Sequence, residues 1–281
     1  MLLTNVKDME RRLKMSNNLN DLEMAKKRDH KIKITDEAIN KVPNIQYKEI
    51  PETEYDNLQE LARQVLKISK DENDSNEVAV TYSLESARLI EKGERYLGIA
   101  LGAEHDVDPL SDSTSYHLIR ASRDCVVLVL HNHPSLSVFS LSDIQFLLKY
   151  ETVKLMVVVT NLGSVSYLVK NGKYDFEKAV VLLNEAIDLN NKAKNIKDLQ
   201  EAADYFLKNC YNVGINYENR WEVHGMMEEH VVLSERPEDQ LKAVEWAREQ
   251  KKKILDDKSR RIADALMEKM TPLIMKNGTQ K

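Results

Sequence analysis

The middle of the chain is built from short apolar runs and alternating stretches, whereas both ends read as charged helix. From Glu54 to Ser69, the residues Leu58, Leu61, Ala62, Val65 and Leu66 recur at the spacing of one helix face. Upstream, "ITDEAINKVPN" reads as a short helical turn that Pro43 stops. The polar stretch "KDENDSN" (70–76) is a loop, and the pattern changes after it. "EVAVTYSL" (77–84) alternates, and "RYLGIAL" (95–101) reads as a second strand. "SDSTSYHLIRAS" (111–122) opens on candidate N-caps and reads as a helix. "CVVLVL" (125–130) leaves no face for water, as expected of a central strand. "SLSDIQFLLKY" (140–150) reads as a helix. "VKLMVVVT" (153–160) and "SVSYLVK" (164–170) read as strands joined by a tight turn at Asn161–Gly163. Two amphipathic helices are expected over 175–189 and 196–211, and a long charged helix over 238–270. The apolar positions of that last helix are sparse (Leu241, Val244, Ile254, Ile262, Leu266), which suits packing on a partner or a second copy.

Interleaved strands and helices predict an α+β or mixed α/β domain over 76–175, between helical regions at 1–75 and 176–281. The first thirty residues, charged and free of Pro and Gly, read as an exposed helix or a disordered arm. Composition narrows the function classes. Hydrophobic residues make up 42 % of the chain, enough for a real core, and 31 % are charged, which suits solvated helices. The net charge is −5, and acids flank basic runs such as Lys251–Lys253, which argues against nucleic acid as the main partner. No apolar run reaches the length of about 18 residues that suggests a membrane span. The N-terminus also lacks a signal-peptide core, so a cytoplasmic protein is expected. Cys125 and Cys210 read as buried thiols, in a strand and a helix interior, of a reducing compartment.

The candidate chemistry lies at the end of the central strand, in "HNHPSLSVFSLSD" (131–143). Residues i and i+2 of a strand face the same way, so His131 and His133 point to one side. Neutral imidazole is a common zinc ligand, and two on one strand make half of a tetrahedral site. Pro134 ends the strand, Ser140 starts the next helix, and Asp143 sits on that helix's first turn, within swing of the imidazoles. Two His and one Asp leave one tetrahedral position for water, the pattern of a catalytic zinc rather than a closed structural one. Such a site also calls for a carboxylate as general base. Plainer readings stand beside this one. The imidazoles could be ordinary strand-end histidines, and Ser140 with Asp143 also matches a helix-capping pair that needs no metal. Other clusters carry less. "EHDVD" (104–108) is a polar loop, and His224 and His230 lack the H-E-x-x-H spacing. There is no G-x-S-x-G and no phosphate-cradling glycine loop.

"HNHPS" followed by S-x-x-D resembles the JAB/MPN (JAMM) metalloprotease domain, and "HNHPS" is similar in particular to its RadC-like bacterial branch. The resemblance spans about residues 77–170. It implies a three-layer, cytidine-deaminase-like domain that hydrolyses a peptide or isopeptide bond in a peptide or protein substrate. It implies Zn2+ held by His131, His133 and Asp143, with Ser140 as a hydrogen-bond donor to the reacting oxygen. It also implies a glutamate on an early strand as base; Glu77 is the first choice, Glu94 the second and Glu104 the third. The chain departs from the family pattern in its loop. Six residues separate His133 from Ser140, one fewer than usual, and "LSVF" lacks the Gly and Pro common there. The resemblance further suggests a bacterial or phage-encoded setting. It leaves open an inactive interaction module, self-association through the C-terminal helices, or a nucleic-acid-associated role.

Overall fold

The computed structural model describes residues 31–104, 106–135, 137–193, 196–220 and 241–278. The expected N-terminal arm, His105, the His224/His230 pair and the start of the long C-terminal helix lie outside the described residues. The helices are α1 (Asp36–Lys41), α2 (Tyr55–Glu72), α3 (Ser86–Glu91), α4 (Ser113–Ala121), α5 (Leu141–Lys149), α6 (Phe176–Lys192), α7 (Ile196–Asn209) and α8 (Leu241–Gly278). The strands are β1 (Val78–Ser83), β2 (Leu97–Leu101), β3 (Val127–His133), β4 (Val153–Thr160), β5 (Val165–Lys170) and β6 (Ile215–Arg220). They form one mixed sheet in the order β2-β1-β3-β4-β5-β6. The protein is therefore mixed α/β.

Every neighbouring pair in the sheet is antiparallel except β3 and β4. A parallel pair requires a crossover, and α5 supplies it. The chain leaves the C-terminal end of β3, turns through residues 134–140, descends through α5 and re-enters the sheet at the start of β4. The first turn of α5 therefore stands beside the end of β3. Because β1 runs antiparallel to β3, its first residues reach the same end of the sheet. Open α/β sheets place their ligand sites at such C-terminal strand ends.

Every residue of β1 and β3 is buried, which explains why neither strand keeps a polar face. Helix α2 packs across β1, β3 and β4 with the stripe expected from its spacing: Leu58, Leu61, Ala62, Val65 and Leu66 are all inaccessible. The hydrophobic cluster continues from Ile34 to Ile274 and takes in all three segments of the chain. Four tyrosines, Tyr47, Tyr82, Tyr96 and Tyr167, are among its largest buried side chains. The hydroxyls of Tyr82, Tyr96 and Tyr167 find partners, as burial favours. The Tyr82 hydroxyl donates to the Glu54 carboxylate at 2.8 Å, and that of Tyr96 donates to the Met267 carbonyl at 3.0 Å.

Several elements differ from the sequence expectation. Helix α3 and strand β6 were not foreseen; β6 is short and polar, "INYENR", and among the described residues it pairs with β5 alone. Cys125 is exposed and precedes β3, while Cys210 is buried but begins a 3-10 turn after α7. Helix α8 runs on through Pro272. Its Ala263, Leu266, Met270 and Ile274 are buried in the common core, so the chain covers this stretch itself, against β2. Among the described residues, no helix is long and apolar enough to cross a membrane.

At the end of the sheet away from His133, Lys170 is 2 % exposed. Its Nζ donates to the Tyr150 carbonyl at 2.9 Å and lies 4.9 Å from the Tyr174 ring centre. Burial pushes its pKa down to about 8, against the opposing charges of Cys125 and Glu151.

Two outcomes are expected. Met270→Ala should lower the free energy of unfolding by about 2–5 kcal/mol in urea titrations, since it empties a wholly buried volume between α8 and the sheet. An unchanged midpoint would show that α8 does not share the core. For Lys170, the unfolded chain binds a proton between pH about 8 and 10.5 that the native chain does not, so stability should rise with pH across that window. The gain is at most about 3 kcal/mol. Urea titrations of Lys170→Met should lack this rise, and a parallel profile in the variant would refute the assignment.

Candidate metal centre

His131 and His133 end β3 and project to the same side, as strand alternation dictates. Their Nε2 atoms lie 3.1 Å apart, with ring planes at 64°. Asp143 meets both rings: Oδ1 is 3.3 Å from Nε2 of His131, and Oδ2 is 3.5 Å from Nε2 of His133. His131 and His133 are buried, and the Asp143 side chain is 18 % exposed. The six-residue loop therefore brings Asp143 within reach. The loop is held by its serines and by Phe139. The Ser135 and Ser137 hydroxyls lie 2.8 Å apart, and Phe139, 2 % exposed, packs edge-on against Tyr217 of β6.

Asp143 completes a helix cap and faces the two imidazoles at once. Ser140 caps α5: its Oγ accepts from the Asp143 N–H, while its own N–H and hydroxyl donate to Asp143 Oδ2 at 2.7 Å. This box fixes the carboxylate rotamer and leaves Oδ1 toward His131. The positive end of α5 further favours an anionic side chain here.

The tautomer of His133 follows from its surroundings. Its Nδ1 lies 3.0 Å from the Ser137 carbonyl, which can only accept, so Nδ1 carries the hydrogen. In the neutral ring, Nε2 then presents a lone pair to Asp143 and His131. A carbonyl behind the ring is also the usual outer partner of a metal-bound histidine.

His131 Nε2 meets these atoms as a donor in one neutral tautomer and with a lone pair in the other; in the second, two lone-pair nitrogens and a carboxylate face one another and favour a cation among them. The spacing fits a metal ion. Tetrahedral bonds of about 2.0–2.1 Å set ligand atoms about 3.3 Å apart, and the three observed separations are 3.1, 3.3 and 3.5 Å. Among the described residues this is the one group of His, Cys, Asp and Glu side chains spaced to hold a metal. Without a metal, a proton supplies the positive charge. Burial opposes charge on His133, but the Asp143 carboxylate, helped by Glu77 and the Ser137 carbonyl, outweighs it and lifts the pKa to about 9. Asp143 is likewise penalised by burial, yet the imidazoles of His131 and His133 hold it well below the usual carboxylate range.

The three glutamates considered as base are placed differently. Glu77 stands one residue before β1 and is 8 % exposed. Ala79 pairs with His131 across the sheet, and Glu77, two residues earlier, lies on the same face, close enough to His133 to feel its charge. Burial raises its pKa to about 8; His133 lowers it, while Asp143 and Asp106 add to the rise. Glu94 is exposed and precedes β2 at the other end of the sheet, since β2 is antiparallel to β1. Glu104 is exposed on the loop after β2.

Sequence reasoning overlooked several contributors. Asp106 lies close enough for Asp143 to raise its pKa, after the larger effects of burial and Asp108. The Ser137 carbonyl was invisible because a backbone atom carries no sequence signal. Asn132 and Asn161, both wholly buried, lie directly behind the site. A polar residue between two histidines on an apolar strand was the available hint. No family model matches the chain, and no curated protein or solved structure matches it either.

Proposed function

We propose that the chain is a zinc-dependent hydrolase of the JAMM type, with a JAB/MPN-like fold, that cleaves a peptide or isopeptide bond. The observation that carries this reading is the triangle of His131, His133 and Asp143 donor atoms, with Glu77 on the adjoining strand. Two imidazoles and one carboxylate suit zinc, whereas calcium and magnesium favour all-oxygen sites. When bound, zinc polarises a carbonyl and lowers the pKa of water to about 7.

The chain's own groups have separate tasks. Ser137 holds the His133 ring through Nδ1, and the Ser140 N–H holds Asp143, so the donor atoms are preorganised. Glu77 takes a proton from the attacking water and returns it to the leaving amine. Its burial among β1, β3 and the 102–108 loop strengthens it as a base in the water-poor site. The Ser140 hydroxyl, exposed at the head of α5, can turn from Asp143 toward a developing oxyanion.

Elemental analysis of purified protein should find about one zinc per chain. His131→Ala and Asp143→Ala should lose it while keeping the wild-type circular dichroism spectrum. Full zinc content in a folded His131→Ala variant would rule out this centre. Glu77→Gln should retain zinc yet slow hydrolysis of fluorogenic peptide and isopeptide substrates by about 10²–10⁴-fold. Undiminished turnover in that variant would remove Glu77 from the chemistry.

A further inference from the structure

We infer that Asn132 and Asn161 form a buried amide pair that sets the position of Glu77 against His131 and His133. The inference rests on the metal-hydrolase reading of this site. Asn132 stands between the two histidines on β3, so its side chain leaves the opposite face of the strand. It is 0 % exposed, as is Asn161 at the end of β4.

The backbone pairing of β1 with β3 ends at Ala79 and His131. One residue further, the Val78 N–H donates instead to Oδ1 of Asn132, at 2.8 Å. Nδ2 of the same amide faces the Asn76 carbonyl at 3.2 Å. One side chain thus grips the backbone on both sides of Glu77. The Asn76 carbonyl is held a second time, by the Ser69 hydroxyl of α2 at 2.6 Å.

Asn161 orients this grip. Its Oδ1 accepts from Asn132 Nδ2 at 2.8 Å, and its Nδ2 donates to the carbonyls of Ile32 at 2.7 Å and Ser75 at 3.0 Å. Only one orientation of each amide satisfies these partners. Turning Asn132 over would set its NH2 against the Val78 N–H, and turning Asn161 over would set its oxygen against two carbonyls. The pair therefore fixes residues 75–78 relative to the end of β3, from the face opposite the metal ligands. Its members touch neither substrate nor metal, so they are positioning residues.

The test uses Co2+ as a spectroscopic stand-in for zinc. Visible spectra are recorded against pH for the wild type, Glu77→Gln, Asn132→Ala and the double variant. Asn132→Ala should still bind Co2+, because its ligands are intact. The pH at which its spectrum changes should move in the same direction as in Glu77→Gln. The double variant should move no further than the larger single shift, the mark of two groups acting through one another. A merely structural role would alter thermal stability without this coupling. Should Asn132→Ala fail to fold, Asn161→Ala is read in the same way, because it keeps the Val78 bond but releases the amide. Shifts that add in full overturn the inference, as does a wild-type titration in a folded Asn132→Ala or an unshifted Glu77→Gln. A wild type that leaves Co2+ unbound, and behaves like His131→Ala, overturns the metal reading and this inference with it.

Discussion

Three electron-pair donors of like polarity, held within 3.5 Å of one another and largely shielded from water, are the constraint on which the rest of this end of the molecule depends. Such a group favours a positive charge, or an imidazole N–H, at its centre. The surrounding fold keeps the donors together regardless. The parallel β3–β4 pair forces a crossover, the crossover returns the chain beside the end of β3, and the first turn of α5 delivers a carboxylate there. The metal reading is thus a consequence of topology as much as of residue type.

Economy of groups marks the site. Asp143 closes a capping box and faces both imidazoles, so the bond that caps the helix also aims the carboxylate at them. After Pro134 the short loop to Ser140 has no further Gly or Pro, and its own serines and the buried Phe139 help to set its path. On the far side of β3 a buried network of amides and a hydroxyl joins α2, the approach to β1, the turn after β4 and the segment at Ile32. Fully satisfied buried networks of this kind rigidify their surroundings, and here they lie directly behind the two histidines of β3.

The two ends of the sheet bury charge in opposite ways. At the ligand end, opposed charges meet, and burial is offset by attraction between Asp143 and the histidines. At the other end Lys170 has a carbonyl and an aromatic ring as its close partners, and burial dominates. Desolvation acts on both; a close counter-charge decides which way the proton equilibrium moves.

Local pattern made most of the framework legible. The apolar stripe of α2, the run of β3, the tight turn between β4 and β5, and the His-x-His spacing each follow from a periodicity of 3.6 or 2 that needs no distant partner. Strand β6 escaped because its polar sequence becomes a strand only by pairing with the edge of β5. Cys125 was misjudged because a run of apolar residues does not reveal where the sheet begins to cover it. The sequence by itself determined the two imidazoles on one face and the helix-starting Ser140–Asp143 pair. Only tertiary structure decided that this pair meets the imidazoles, that Glu77 rather than Glu94 shares their end of the sheet, and that Asn132 holds its neighbours. Those are matters of strand direction and register, which depend on contacts between segments far apart in the chain.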